Sequence, residues 1–318
     1  MTALLEVDDL RVHARGTALL DGVGFHLDAG ETLGVVGESG CGKSVLALAL
    51  MGLLPPSLRA SGSVRLGGVD LLGLAERDLC RVRGARIAMV FQEPRLALNP
   101  LQRIGHQVAE GMRLHLGLGR AASDARARTL LDRVGLPPAR VSADAYPHML
   151  SGGQLQRVMI AVALACDPAV LIADEFSTAL DMTTQAQIVA LLAELSHETK
   201  MALMLITHDL GLVSQAADRM IVLYAGRVAE TGPTGAVFAA RRHPYTQGLF
   251  AATLHGRRAA PGRVLPTIPG QVPDPFARPP GCAFAPRCGQ AQPDCEAAPP
   301  ALEGSVHRVA CLHQLAAE

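Results

Sequence analysis

Thr32-Leu-Gly-Val-Val-Gly-Glu-Ser-Gly-Cys-Gly-Lys-Ser44 decides how this chain is read. Its first five residues are a short apolar, β-branched run. The next eight, Gly37 to Ser44, fit G-x-x-x-x-G-K-[ST], and from Lys43 onward apolar residues crowd together until Gly52. Strand, glycine-rich turn and helix is the order that this pattern needs to bind phosphate. Glycines let successive backbone N–H groups turn inward around phosphate oxygens, and the start of the following helix adds positive potential. The pattern assigns Gly37, Glu38, Ser39, Gly40, Cys41 and Gly42 to a phosphate cradle. It assigns Lys43 to the β- and γ-phosphates and Ser44 to a Mg²⁺ ion.

Val170-Leu-Ile-Ala-Asp-Glu175 supplies a second half. Four apolar residues predict a buried strand ending in two carboxylates, where phosphoryl transfer needs them. Asp174 is placed to hold Mg²⁺, through water, and Glu175 to polarise an attacking water. A third stretch, Leu150-Ser-Gly-Gly-Gln154, opens a helix with a hydroxyl and bare backbone amides. Ser151, Gly152, Gly153 and Gln154 thus make a second anion-binding helix start. One nucleotide does not need two such cradles from one chain, so two chains are expected to share it.

The surrounding chain alternates strands with helices, which implies a largely parallel, covered sheet. Strands are expected at residues 4–12, 32–36, 86–91, 170–173, 202–207 and 220–224. Helices are expected at 43–53, 104–116, 125–134, 155–165 and 184–198. The α/β core is then 1–92 with 151–235, interrupted by a helical insertion at 93–150. Residues 236–318 differ in texture: they carry 12 of the 21 prolines and read as an irregular appended tail held by its cysteines. Charges balance at 29 against 29, with no Trp and three Tyr, which argues against nucleic acid as a partner. No apolar run approaches the roughly 20 residues that cross a bilayer. A cytoplasmic chain is expected, reaching the membrane through a partner.

In its motif order the sequence resembles the ATP-binding cassette (ABC) family. The resemblance rests on Gly37–Ser44, Leu150–Gln154, Val170–Glu175 and Ile206-Thr-His-Asp209, and it runs over about residues 4–235. It implies a P-loop NTPase (RecA-like) core, an inserted helical subdomain, and ATP with Mg²⁺ as cofactors. It also implies that Gln92 ends a core strand and senses Mg²⁺ and water. Thr178-Ala-Leu-Asp181 then meets the other subunit, bringing Asp181 to the nucleotide, and His208 contacts the γ-phosphate. Two departures stand out. Arg11-Val-His-Ala-Arg15 puts Ala14 near the position where the family usually has an adenine-stacking aromatic, leaving His13 as a candidate. Phe176 follows Glu175 where the family most often has Pro.

Arg242-His-Pro-Tyr-Thr246, Pro269-Gly270 and Gly281-Cys-Ala-Phe-Ala-Pro-Arg-Cys288 resemble the C-terminal extension of dipeptide, oligopeptide and nickel importer ATPases. Gln92-Glu-Pro and Leu98-Asn-Pro100 are similar to the same subfamily. The resemblance implies transmembrane permease subunits, a sister ATPase or second copy, an external solute-binding protein, and a place on the cytoplasmic face of the inner membrane. The solute is a peptide, nickel or another small molecule; a soluble ATPase of DNA repair or translation is the reading from another class. Cys282, Cys288, Cys295 and Cys311 are spaced C-x₅-C-x₆-C-x₁₅-C. Four thiolates in a short irregular segment of a cytoplasmic chain suit a [4Fe–4S] cluster or one zinc. The absence of a tight C-x₂₋₄-C pair and the subfamily resemblance favour iron–sulfur, and unligated thiols are the remaining alternative.

Overall fold

A computed structural model describes residues 3–175, 181–253 and 266–316. Phe176 and residues 178–180 of the expected subunit-contact loop lie outside them. In chain order the elements begin with β1 (Leu5–Ala14), β2 (Thr17–Leu27), β3 (Thr32–Val36), α1 (Lys43–Leu50), β4 (Leu58–Leu66), β5 (Val69–Asp70), α2 (Glu76–Val82) and β6 (Ile87–Val90). Then follow α3 (Pro94–Ala97), α4 (Ile104–Leu116), α5 (Arg120–Arg133), α6 (Gly152–Leu164), β7 (Val170–Asp174), α7 (Met182–Thr199) and β8 (Ala202–Ile206). The chain continues with α8 (Leu210–Ala216), β9 (Arg219–Tyr224), β10 (Arg227–Pro233), α9 (Thr234–Ala240), α10 (Pro244–Ala251) and β11 (Arg308–Val309).

Packing divides the chain into two compact units that do not follow chain order. One comprises residues 1–5, 27–31 and 66–204. In it β6 and β7 run parallel, Ile87 opposite Val170 and Val90 opposite Ala173, and the Ala202 N–H at the start of β8 donates to Ala169 O. Both β6 and β7 are buried along their length, as the unbroken apolar runs of a covered parallel sheet require. Beside them α4 and α5 pack on α6, turning Ile104, Val108 and Met112 inward. Gln107 closes the helical part: its amide accepts from Asn99 N–H (2.9 Å) and donates to the carbonyls of Asn99 and Gln102 (both 3.0 Å).

The other unit comprises residues 6–26, 32–65 and 205–318. Its β3 runs parallel to β9, β9 pairs antiparallel with β10, and β10 with β11. Ala229 is an extra residue in β10 between the pairs Val228–Leu223 and Glu230–Val222, and its carbonyl accepts from Ala310 N–H (2.8 Å). β2, β1 and β4 lie in that order in a separate sheet. The part after residue 235 is more regular than its prolines suggest, since α9, α10 and β11 all fall at or beyond residue 234. It packs in the same unit as α1. A buried carboxylate anchors it: Glu230, fully buried, accepts from Arg242 N–H (2.8 Å), His243 N–H (3.0 Å) and His307 Nε2 (2.6 Å).

Candidate active site

The glycine-rich turn lies between β3 and α1 as the pattern requires. Gly37 allows close approach: a Cβ there would meet Leu223 O at 2.3 Å. Gly42 caps α1 in a left-handed conformation (φ 108°) without a side-chain cap, so nothing from a capping side chain competes for the first amides of that helix. Ser39, Gly40 and Ser44 are exposed, whereas Cys41 and Lys43 are buried. Lys43 Nζ donates to Gly37 O (2.9 Å) and Glu38 O (3.1 Å), and lies 3.9 Å from Cys41 Sγ. Burial raises the Cys41 thiol pKa, which keeps it neutral beside the loop. The sequence assigns Glu38 to the cradle, but its N–H and its carboxylate face the C-terminal extension. Its N–H donates to Tyr245 Oη (2.8 Å) and its carboxylate pairs with Arg287.

Further residues of the same unit have defined places. The Thr207 N–H donates to Val35 O (3.1 Å), so His208, exposed just past β8, leaves the sheet beside the strand that feeds the glycine turn. Asp209 caps α8 through Gly211 N–H (2.7 Å). His13 is half-buried near the end of β1, Ala14 is the last residue of that strand, and Arg15 turns left-handed (φ 50°).

In the other unit, Asp174 ends β7 with 5% exposure, and a buried carboxylate at a strand end suits a hard cation such as Mg²⁺. Glu175 follows with φ 40°, a strained backbone for a non-glycine residue and one that concentrates at working sites. Gln92 is exposed two residues beyond β6. Ser151 caps α6 in a reciprocal box: its Oγ accepts from Gln154 N–H (3.4 Å) and Gln154 Oε1 accepts from Ser151 N–H (2.9 Å). Gly152 and Gly153 form the first turn. Asp181 serves as the N-cap of α7, accepting from Thr184 N–H (2.9 Å) and Oγ1 (2.8 Å); these bonds lower its pKa.

Cys282, Cys288, Cys295 and Cys311 line a single cavity of the extension together with His243 and His313. Cys282 N–H donates to Cys295 O (2.7 Å), which fixes two of the four backbones. Burial raises the thiol pKa of Cys282, and that of Cys311 to about 11. Among the described residues, the group of three or more such ligand atoms mutually within 4.8 Å is that of Asp294, Cys295 and His313. The four sulfurs are therefore more widely set than a lone zinc would hold them, since Zn–S bonds of about 2.3 Å bring tetrahedral sulfurs to within about 4 Å. Four cysteine thiols around one cavity are the donor type that an iron–sulfur cluster takes. Sequence reasoning did not assign Arg287, Tyr245, Glu230 or His307 a role. A signal for Tyr245 and Arg287 is present in the quoted Arg242–Thr246 and Gly281–Cys288 segments, which carry a Tyr after His-Pro and an Arg between two Cys; Glu230 and His307 lie outside both.

Residues 20–178 match the ABC transporter family model, and residues 229–295 match the oligopeptide/dipeptide transporter C-terminal region. A putative peptide import ATP-binding protein of Brucella abortus is 53% identical over 92% of this chain and 89% of its own length. The chain belongs to the ABC transporter family. The dipeptide transport ATP-binding protein DppD of Escherichia coli is 46% identical, over 94% of this cassette and 93% of its own length. OppD, the oligopeptide transport ATP-binding protein of Salmonella typhimurium, is 48% identical over 93% and 89%. Among solved structures, the cassette MJ0796 in a post-hydrolysis dimer with ADP and Pi superposes with TM-score 0.65 at 28% identity. That match covers 72% of this chain and 98% of the other. The chemistry of this cassette is that of an ABC ATPase.

Proposed function

We propose that this cassette is the ATP-hydrolysing subunit of an importer for dipeptides or oligopeptides, acting at the cytoplasmic face of the inner membrane. The observation that carries the reading is that likeness to peptide-import ATPases runs through the extension as well as the core. The C-terminal region model spans residues 229–295, and relatives named for peptide, dipeptide and oligopeptide transport match over 92–94% of the chain.

In this reading the amides of residues 39–44 take the phosphates with Lys43, while Ser44, Asp174 and Gln92 hold Mg²⁺. The ion supplies charge neutralisation at the phosphates. Glu175 orients and polarises the attacking water, and His208 meets the γ-phosphate. Ser151, Gly152, Gly153 and Gln154 face the nucleotide of a companion cassette, a sister ATPase or a second copy, with Asp181 near the same junction. ATP closes the pair and hydrolysis reopens it. The helical segment 93–150 meets a transmembrane permease. Three bare apolar side chains support that contact: Leu96 (81% exposed), Leu101 (84%) and Met149 (66%). Leu101 and Met149 flank the hydrogen bond from Ile104 N–H to Ala145 O (2.9 Å). An external binding protein delivers the solute. Cys282, Cys288, Cys295 and Cys311 hold a [4Fe–4S] cluster, which cross-links the extension.

The test is reconstitution with the permeases and binding protein in lipid vesicles. Peptide should stimulate ATP turnover and be taken up, and Glu175→Gln should bind ATP while turning over about 10²–10⁴-fold more slowly. Stimulation by Ni²⁺ and not by peptide would replace the solute. Full turnover by Glu175→Gln would remove that residue from its role.

A further inference from the structure

The second residue of the phosphate loop is acidic, which is at odds with a site that gathers negative charge. Glu38 sits in a loop whose amides serve anions, and a carboxylate there repels a triphosphate unless it is neutralised. The neutralising group comes from 249 residues downstream: Arg287 Nη1 donates to Glu38 Oε2 (2.7 Å) and Nη2 to Oε1 (3.0 Å). This is a two-pronged pair of the strong kind, with both donors set by one planar group.

Arg287 is held for this task from every side. Its side chain is 5% exposed against 29% for Glu38. Nε donates to Pro269 O (2.8 Å) and Nη1 also reaches Tyr224 Oη (3.2 Å). The guanidinium lies over the Tyr224 and Phe284 rings, 5.8 and 5.9 Å from their centroids. Tyr245, fully buried and 4.5 Å from Tyr224 between ring centroids, accepts the Glu38 N–H (2.8 Å). The backbone of Gly37 and Glu38 is thus held by Tyr245 of the extension and by Lys43 through two carbonyls, while Arg287 holds the Glu38 carboxylate.

We propose that Arg287 is a positioning residue of the ATP site: it cancels the Glu38 charge and ties that side chain to the extension, beside the loop carbonyls on which Lys43 rests. The extension is therefore a working part of the nucleotide site. This requires only that the loop bind ATP, which family membership supplies; it does not depend on the solute being a peptide.

The experiment measures basal ATP turnover of the full-length chain, with no permease or peptide present, against MgATP concentration. Arg287→Ala should raise KM for ATP about tenfold with kcat changed less than about threefold, because an unpaired carboxylate opposes binding of the phosphates. The double variant Arg287→Ala with Glu38→Gln should recover most of that loss, and the KM defect of the single variant should shrink as salt rises. A role confined to folding predicts the opposite, since removing Glu38 as well would not restore anything. Should Arg287→Ala fail to fold, Arg287→Gln, with and without Glu38→Gln, gives the same comparison. An unchanged KM, or a double variant no better than the single one, overturns the proposal. Wild-type turnover in the same assay separates that failure from a failure of the ATPase reading.

Discussion

Replacing Glu230 tests whether the extension is anchored to the sheet by one buried carboxylate. The side chain has no solvent exposure, and it accepts from two backbone N–H groups, of Arg242 and His243, and from His307 Nε2. Glu230→Ala leaves all three donors behind in a closed site. Each orphaned backbone donor costs about 1–3 kcal/mol, and loss of one partner of a buried, hydrogen-bonded charge costs about 3–5 kcal/mol in total. Glu230→Gln keeps one acceptor oxygen but turns an NH₂ group toward a donor, so about 2–3 kcal/mol is expected. At roughly 2 °C per kcal/mol for a chain of this size, Glu230→Ala should melt about 6–10 °C lower, and Glu230→Gln about half as much lower. Circular dichroism on the full chain reads the melt. Amide hydrogen exchange should show Arg242 and His243 losing protection ahead of β3 and α1. A shift under about 2 °C for Glu230→Ala, with those two amides still protected, would refute the reasoning.

Two further outcomes follow from other contacts. Anaerobically purified protein should carry about four irons and four sulfides per chain, and Cys288→Ser should lose them while retaining the loop motif; zinc in place of iron in the wild type would identify the other ligand. Gln107→Leu removes the three hydrogen bonds that hold residues 99–102. It should leave basal ATP turnover of the isolated chain within about twofold while lowering stimulation by the permeases in vesicles.

The parts of the fold legible in the sequence are those where local chemistry and burial agree. β3 and α4 fall at residues 32–36 and 104–116 as expected, because an apolar β-branched run and an amphipathic stripe each leave one choice. Ser151 was placed at a helix start because its cap is local, three residues from Gln154. β2 and β4 were not anticipated. β4 reads Leu-Arg-Ala-Ser-Gly-Ser-Val-Arg-Leu with no buried residue before Val64, so a strand this open to solvent gives too little apolar signal. The region after 235 reads as irregular chain held by cysteines. The structure adds anchors that this reading lacks, Glu230 with His307 and Glu38 with Arg287, 77 and 249 residues apart, and no periodicity reports a pairing over such distances. Pro244, one of the prolines that give this region its irregular texture, opens α10 at a position where helices accept it.

The bond between Glu38 and Arg287 changes where this polypeptide can be shortened. Residue 235 looks like a natural place to cut, with a complete motor before it and proline-rich chain after it. A truncation there would discard His307 and the amides that saturate Glu230, leaving that carboxylate without its donors on a strand stripped of its neighbour β11. It would also uncover a second acid at the mouth of the anion loop. A minimal cassette made by trimming would therefore need both glutamates replaced before its affinity for nucleotide could be compared with that of cassettes that never carried such a tail.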